Sequence, residues 1–573
     1  MAKTVGVSPQ YIIDRCKTLK GDWSTRAKKF KDWYDILLLH DELEQEGMES
    51  VTSNDPRTGY NLAKHLLTSM VIADKIESGE LPPEMVPAVS YLEKYIFERW
   101  NNQEKRYRSA GRQSWLSEFV GWLLTTGWYS VFAMATQDEV WAEVWSPADS
   151  FPGFGPDGLV EHAHIYTLSP VAAAKKVKTM GWDYKGTYGK TNLTMYDLWT
   201  FDSDGDVSNG IVLENHFVKM PVKDIPCTKV GRLPIFTSPA GGLPDMGSIK
   251  GNKIWQQHYG ESIVGTNEDL ILNYNKIRSF MQQAARTAAQ PHWLELSSGT
   301  TPIATETLMD RWGSILRGEP GEDVRPLQGV PIPVELTNIL FHYQNELQRG
   351  MFPWAVFGNI QQQMSYLAMA NVASASMQVL TPYRNAVKGM RTDINNFWSD
   401  MILMNGFKPY RFTKPANLPE RLERMFDVEC DVEIPGYLIQ RATVSRMLNS
   451  DFTLPEAWIM ERMFPEIRNV VKANADVRAE KAMKHPKAIM VDQIVAYRRY
   501  AATLRESEDQ GDMDTAILYE KLADSLEKEL VAPQQQSKRV STPTQQAAEQ
   551  AVAREAFPVR EGSTPIEGLG QTT

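Results

Sequence analysis

The chain has 573 residues, 42% of them hydrophobic and 23% charged, a globular composition too long for one ordinary core and so spread over several domains or an elongated subunit. Its formal charge is -10, Asp+Glu 71 against Lys+Arg 61, which excludes tight nucleic-acid binding by the surface as a whole through phosphate neutralisation. Cys16, Cys227 and Cys430 stand far apart with no C-x-x-C pair, which excludes a disulfide framework or zinc knuckle and fits a reducing, cytoplasmic origin.

The start MAKTVGVSPQYIIDRCK has no apolar core of the kind a secretory signal needs. Up to about residue 260 the pattern mixes helices and short strands. Leu62, Leu66, Leu67, Met70 and Ile76 predict a helix over Asn61 to Ile76, and a second follows Pro87 through Tyr91, Tyr95 and Ile96 towards Trp100. Phe119 to Gln137 carries no charge over a length close to a membrane span. Thr125, Thr126 and Gly127 interrupt it, so it is read as a buried helix, a turn and a core strand, with no membrane association. Strands are expected at Trp128 to Ala135, Val140 to Trp145, Val160 to Tyr166, Leu193 to Phe201 and Ile211 to Met220.

The centre changes character. Ser262 to Gln290 lacks proline and places Ile263, Leu270, Tyr274, Ile277, Met281, Ala284 and Ala288 on one stripe, with Lys276, Ser279, Gln283 and Arg286 opposite, a helix of about eight turns. Past Pro291 a strand (His292 to Leu296) and a helix (Glu306 to Ile315) precede RGEPGEDVRPLQGVPIP, a turn-rich insertion. A second amphipathic helix over Val334 to Gln348 has Leu336, Ile339, Leu340, Tyr343 and Leu347 on its apolar side. Glu335, Asn338, His342, Asn345, Glu346 and Arg349 form its polar side. Two helices therefore flank one insertion.

Next comes MFPWAVFGNIQQQ, whose crowded apolar residues around Pro353 need burial or a partner. Met364 to Met404 reads as one long helix, about 60 Å if unbroken, kinked at Pro382. Residues 405 to 435 read as extended pieces ending in DVEIP, Asp431 to Pro435, and helices follow to about Leu530. The clearest are Ala488 to Arg505 and Asp512 to Leu530, with Gly511 between them as a hairpin. The remaining tail, rich in Gln, Ser, Thr and Pro, predicts disorder.

Catalytic and metal motifs fail on their context. Gly153, Gly155 and Gly158 match G-x-G-x-x-G, but a strand pattern follows where a dinucleotide site needs a helix, so a β-turn is the reading. Asp202, Asp204 and Asp206 have glycine at the fourth position of a calcium loop and no glutamate at the twelfth, which reads as a hairpin turn. His162 and His164 share one strand face but lack an evident third ligand, and fit a half-exposed sheet. Gly189, Lys190 and Thr191 end like a P-loop, yet Tyr184 replaces its first glycine. The basic run Lys105 to Arg112 reads as a solvated helix end. No nucleophile, base, cofactor or metal is indicated.

The order of these parts resembles the portal proteins, the head-to-tail connectors of tailed bacteriophages, as do SPADSFPGFGPDG at Ser146 to Gly158, RLPIFTSPAGG at Arg232 to Gly242 and GESIVGTNEDLILNYNK at the entry to the first long helix. The resemblance implies an α+β, mainly helical portal fold that forms rings. It would comprise a wing (1–261), stem helix 1 (262–290), a clip (291–333), stem helix 2 (334–349), a tunnel loop (350–363) and a long kinked helix (364–404). Wing strands (405–437), a helical crown (438–530) and a disordered tail (531–573) complete it.

It further implies a non-enzymatic homo-oligomer, usually a dodecamer, at one capsid vertex of the virion, assembled in the host cytoplasm, through which double-stranded DNA is packaged and ejected. Its partners would be the terminase large subunit, then head-completion, adaptor or tail proteins, with the major capsid and scaffolding proteins around it. Lys276, Gln283, Arg286 and Arg349 are the channel candidates, and Met351, Phe352, Pro353, Trp354, Val356 and Phe357 the tunnel-loop candidates. Arg317, Glu319, Glu322, Asp323 and Arg325 are the candidates for clip docking. The alternative is another phage structural protein, a baseplate or head-completion component.

Overall fold

The structure, a computed structural model, describes residues 8–41, 50–76, 86–244, 260–289, 293–296, 323–326, 334–350, 377–407, 426–431 and 470–531, apart from short breaks within them, with residue 43 and a few between 442 and 464. The chain divides into two units, Met1–Val470 and Val471–Thr573.

The first unit opens with α1 (Pro9–Asp22), begun by Pro9 in its first turn and by Ser8, which accepts from the Tyr11 N–H. Then come α2 (Ser24–Leu37), α3 (Asp55–Thr68), β1 (Val71–Ile76) and α4 (Val86–Ser109). Next is α5 (Trp115–Thr126), started by Ser114 and stopped by Gly127 in the left-handed conformation, φ +62. The corner needs glycine, because a Cβ on Gly127 would overlap the Glu261 backbone. The bare backbone lets Ala240 donate to the Gly127 carbonyl (2.7 Å) and Ile263 to that of Leu124 (3.0 Å), bringing the entry to the central helix against α5.

The uncharged stretch is thus a buried helix, a turn and a strand, as its composition predicts, and no helix among the described residues is long and apolar enough to cross a membrane. That strand, β2 (Trp128–Ala135), is the middle of a three-stranded antiparallel sheet with β3 (Val140–Trp145) and β9 (Ile235–Pro239). A five-stranded antiparallel sheet runs in chain order through β4 (Ser150–Gly155), β5 (Gly158–Leu168), β6 (Leu193–Phe201), β7 (Val207–Leu213) and β8 (His216–Val222). Helix α6 (Pro170–Thr179) inserts between β5 and β6 and covers a small cluster of Val177, Met195, Ile211 and Leu213.

Helices α7 (Glu268–Ala289) and α8 (Val334–Gly350) flank the two-stranded sheet of β10 (Trp293–Leu296) and β11 (Asp323–Pro326). The chain then re-enters the body through α9 (Thr381–Asn405) and β12 (Phe426–Asp431), which pairs antiparallel with β1. One large core holds these parts together around Trp115, Phe119, Trp128, Phe236, Trp398 and Phe426, side chains whose full burial contributes about 1.5–3 kcal/mol each. The second unit carries α10 (Val470–Met483), α11 (Pro486–Arg505) and α12 (Gln510–Val531), the last two packed as a hairpin.

Several expectations are corrected. The helix predicted over Asn61 to Ile76 stops at Thr68, and Val71–Ile76 is strand because β12 offers it a ladder. The run Ile211 to Met220 is a hairpin, turned at Glu214, which takes φ +53. The central helix begins at Glu268 after a 3-10 turn at Gly265–Asn267, not at Ser262. Pro382 kinks nothing among the described residues: it stands in the first turn of α9, where its missing N–H has no partner to lose. Gly511, expected between the two hairpin helices, lies inside α12; of the extended pieces expected over 405 to 435, Phe426–Asp431 is a strand and residues 432–435 lie outside the described residues. The helix expected at Glu306 to Ile315, the first part of the long helix and the tail after Val531 lie outside the described residues.

Candidate functional site

Helices α7 and α8 are antiparallel neighbours, because the start of one and the end of the other meet: a Cβ on Gly350 would run into the side chain of Asn267. At that root the Glu268 carboxylate takes the Lys29 ammonium, at 3.0 Å to each oxygen, and the Trp33 indole N–H at 2.9 Å. An acidic group in the first turn also complements the helix dipole. Along α7, Ser53 N–H donates to Asn275 Oδ1 and Val51 N–H to Ser279 Oγ, both at 2.9 Å. Ile271, Tyr274 and Leu347 are buried near the root, whereas Phe280, Val334 and Phe341 are exposed farther out. The module is clamped at one end and open at the other.

Beside the root, a cavity of about 320 Å³ lies between α2, residues 52–56 and α7, with Asp32, Asp35, His40 and Glu268 among its walls. No group of three or more His, Cys, Asp or Glu able to hold a metal occurs among the described residues.

Of the channel candidates, Lys276, Arg286 and Arg349 are exposed and Gln283 is half-buried. Ser279, expected on the same open stripe, is instead buried under the 51–53 segment. The buried Ser279 therefore interrupts the expected polar stripe between Lys276 and Arg286. Asp323 and Arg325 sit in β11 opposite Leu296 and Leu294, and Asp323 is exposed. Arg317, Glu319 and Glu322, and the tunnel-loop residues Met351, Phe352, Pro353, Trp354, Val356 and Phe357, lie outside the described residues.

His162 and His164 share a face of β5 but not a half-exposed one: both are buried, with the Trp145 ring stacked on His164 at 4.0 Å. Among the described residues, neither ring nitrogen of His162 has a hydrogen-bond partner. Burial, with the Arg26 charge adding to it, pushes His162 down to about 3, and burial first, then His162 and Lys176, lowers His164 well below its ordinary value. On the paired strand Asp197, facing His164 in register, is pushed up to about 6 by burial against the opposing hydrogen bond from Asn209 and charge of Lys219.

The 202–206 carboxylates form the expected turn. Asp202 Oδ1 accepts from the N–H groups of Asp204 (2.8 Å) and Asp206 (3.0 Å). Gly153 and Gly155 lie in β4 and Gly158 opens β5, a β-hairpin rather than a phosphate loop. Lys105 to Ser109 ends α4, and Arg112, just beyond it, pairs with Glu118. All three cysteines are free and buried.

The sequence reading missed Glu268 and its partners at the root. The signal available was Lys29 and Trp33, one helical turn apart on α2, but their partner is more than two hundred residues away.

No family model and no curated protein matches the chain. Among solved structures it is similar to a chain in the neck of a native GTA particle computed with C12 symmetry, at 12% identity and TM-score 0.38 over 71% of this chain and 89% of that one. A chain in the neck of an empty GTA particle computed with C6 symmetry gives 12% identity and TM-score 0.39 over 75% and 93%.

Proposed function

We propose that this chain is a portal subunit of a tailed phage. It would be a non-enzymatic homo-oligomeric ring, dodecameric in the family it resembles, at one capsid vertex, conducting double-stranded DNA during packaging and ejection. The terminase large subunit would dock first and head-completion, adaptor or tail proteins afterwards, with the major capsid and scaffolding proteins around the wing.

The observation that carries this reading is one module: two antiparallel helices rooted in an α+β body, with a small two-stranded sheet inserted between them, after which the chain returns to the same body through α9 and β12. In the ring the insertion is the clip, with Arg317, Glu319, Glu322, Asp323 and Arg325 as its docking residues. Residues 350–363 are the tunnel loop, and 438–530 the crown.

The charges suit a conduit that does not grip. The chain is acidic overall, and Lys276, Gln283, Arg286 and Arg349 offer only scattered contacts to passing phosphates. Each cation across a hydrated gap is worth about 1 kcal/mol and is screened within about 8 Å, so DNA slides.

Electron-microscopic class averages of the purified chain test the reading. A ring with a central hole is expected; particles with no hole would favour a baseplate or head-completion component.

A further inference from the structure

In the second unit the less exposed positions recur in alternating steps of four and three, from Met490 to Leu504 on α11 and from Asp512 to Leu530 on α12, the spacing of a coiled-coil seam. Ile494, Ala501, Ala516 and Ala523 are buried in the seam, where the rings of Tyr497 and Tyr519 also stack with centroids 5.7 Å apart. Outside the seam, eight large apolar side chains of α11 and α12 are between 42% and 66% exposed.

These eight fall into two sets. Val491, Val495, Met513 and Ile517 each directly follow a seam residue, whereas Ile489, Tyr500, Leu518 and Leu522 each directly precede one. The ion pairs show which way the sets face. Arg498 pairs with Glu527 and Arg505 with Glu520, and all four of these residues directly follow the seam, so such positions on both antiparallel helices share one flank. The preceding positions share the other. The hairpin thus has two apolar flanks, and they differ: one is crossed by internally neutralised ion pairs, the other by Tyr500, Leu518 and Leu522.

We infer that the 486–531 hairpin packs between the same hairpins of two neighbouring copies, the ion-paired flank of one against the Tyr500 flank of the next. The eight side chains are divided four to each flank, so each flank supplies the apolar part of the roughly 800 Å² that one partner of a standard interface buries. A single face-to-face dimer would leave half of that apolar surface in water. Two unlike flanks give head-to-tail contacts, which close into a ring or run on as a filament. This deepens the ring reading, rests on it, and assigns the second unit a part in closing the assembly.

Cysteine crosslinking of the full chain tests it, with a low background because the native thiols are buried. Val495→Cys alone and Leu522→Cys alone should give no disulfide dimer, their equimolar mixture should give the mixed dimer, and the double variant should give a ladder of higher species. Leu518→Glu with Leu522→Glu should lower the assembled fraction at least tenfold by native mass spectrometry. Dimers from Leu522→Cys alone, or assembled chains that never crosslink and tolerate both glutamates, overturn the inference and leave the ring reading standing. A ladder without rings in the microscope sinks the ring reading alone, and a chain that stays monomeric overturns both.

Discussion

Arg391 and Asp74, 317 positions apart, meet in a buried two-pronged ion pair, with Nε and one terminal nitrogen each 2.7 Å from a carboxylate oxygen. Asn395 Nδ2 donates to the same carboxylate at 2.8 Å, its Oδ1 accepts from the Trp100 indole at 2.8 Å, and the guanidinium lies 4.7 Å from the Trp100 ring. Strand β1, helix α4 and helix α9 are thereby joined through charge at a place where their apolar surfaces also pack. Leaving either charge alone there is costly, so Arg391→Met or Asp74→Leu should each lower stability by about 3–5 kcal/mol, and the double change by much less. Denaturant midpoints of the three variants check this; a double variant that loses the sum of the two single losses would show that the pair is not coupled.

Acid should weaken the body through β5. His162 and His164 stay neutral when folded, while unfolded histidine takes up its proton near pH ~6.5. As pH falls below that value the unfolded chain binds two more protons at these positions, and stability is lost. Asp197 opposes this: raised to about 6 when folded, it binds its proton before the unfolded carboxyl does at ~3.9. Between about pH 6 and 4 the unfolded state is ahead by a net one proton, a loss of about 1.4 kcal/mol per pH unit. His162→Phe should flatten the profile in that window, and an unchanged slope would remove His162 from the account.

Gly127→Ala should be among the most damaging single changes in the body. It combines a left-handed backbone with overlap on Glu261, two penalties that together reach about 3 kcal/mol or more. Thermal unfolding is the measurement. Gly111, also at positive φ but with open space around its Cβ site, is the control, where alanine should cost about 1–2 kcal/mol.

Glu268→Gln should loosen the root of the helical pair. The Trp33 hydrogen bond can survive, but the Lys29 charge loses its partner at a site only partly open to water, at a cost of about 1–2 kcal/mol. Limited proteolysis should then cut α7 and α8 sooner than β2 or β5; unchanged cleavage order would mean that the helix packing alone holds the root.

Deleting residues 351–358 should leave assemblies intact and impair DNA retention or packaging, measured by nuclease-protected DNA per particle. Loss of assembly alone would make the segment an interface rather than part of the channel.

Where periodicity was strong, the elements were readable: α5, β2, β3, β6, α8 and the α11–α12 hairpin stand close to where their patterns put them. The errors have physical causes. Val71–Ile76 reads as helix because a strand's partner is invisible when it lies past residue 425, and tertiary pairing overrides local preference. Pro382 reads as a kink when the chain around it is assumed continuous. Histidine spacing shows which face His162 and His164 share, but not that Trp145 and the neighbouring sheet bury that face. Of the candidate site, the polar character of α7 and α8 was legible and the covering of Ser279 was not, because residues 51–53 carry no pattern of their own.

The pairing of β1 with β12 also orders the making of the molecule. Until residue 431 of 573 has been synthesised, Asp74 has no strand beside it and much of the apolar surface of the first unit is uncovered. Helices α7 and α8 are synthesised in the interval, before β12 is available to β1. Such non-local closure is slow and leaves the nascent chain exposed to aggregation, so release of a finished subunit is timed by one of the last strands to leave the ribosome.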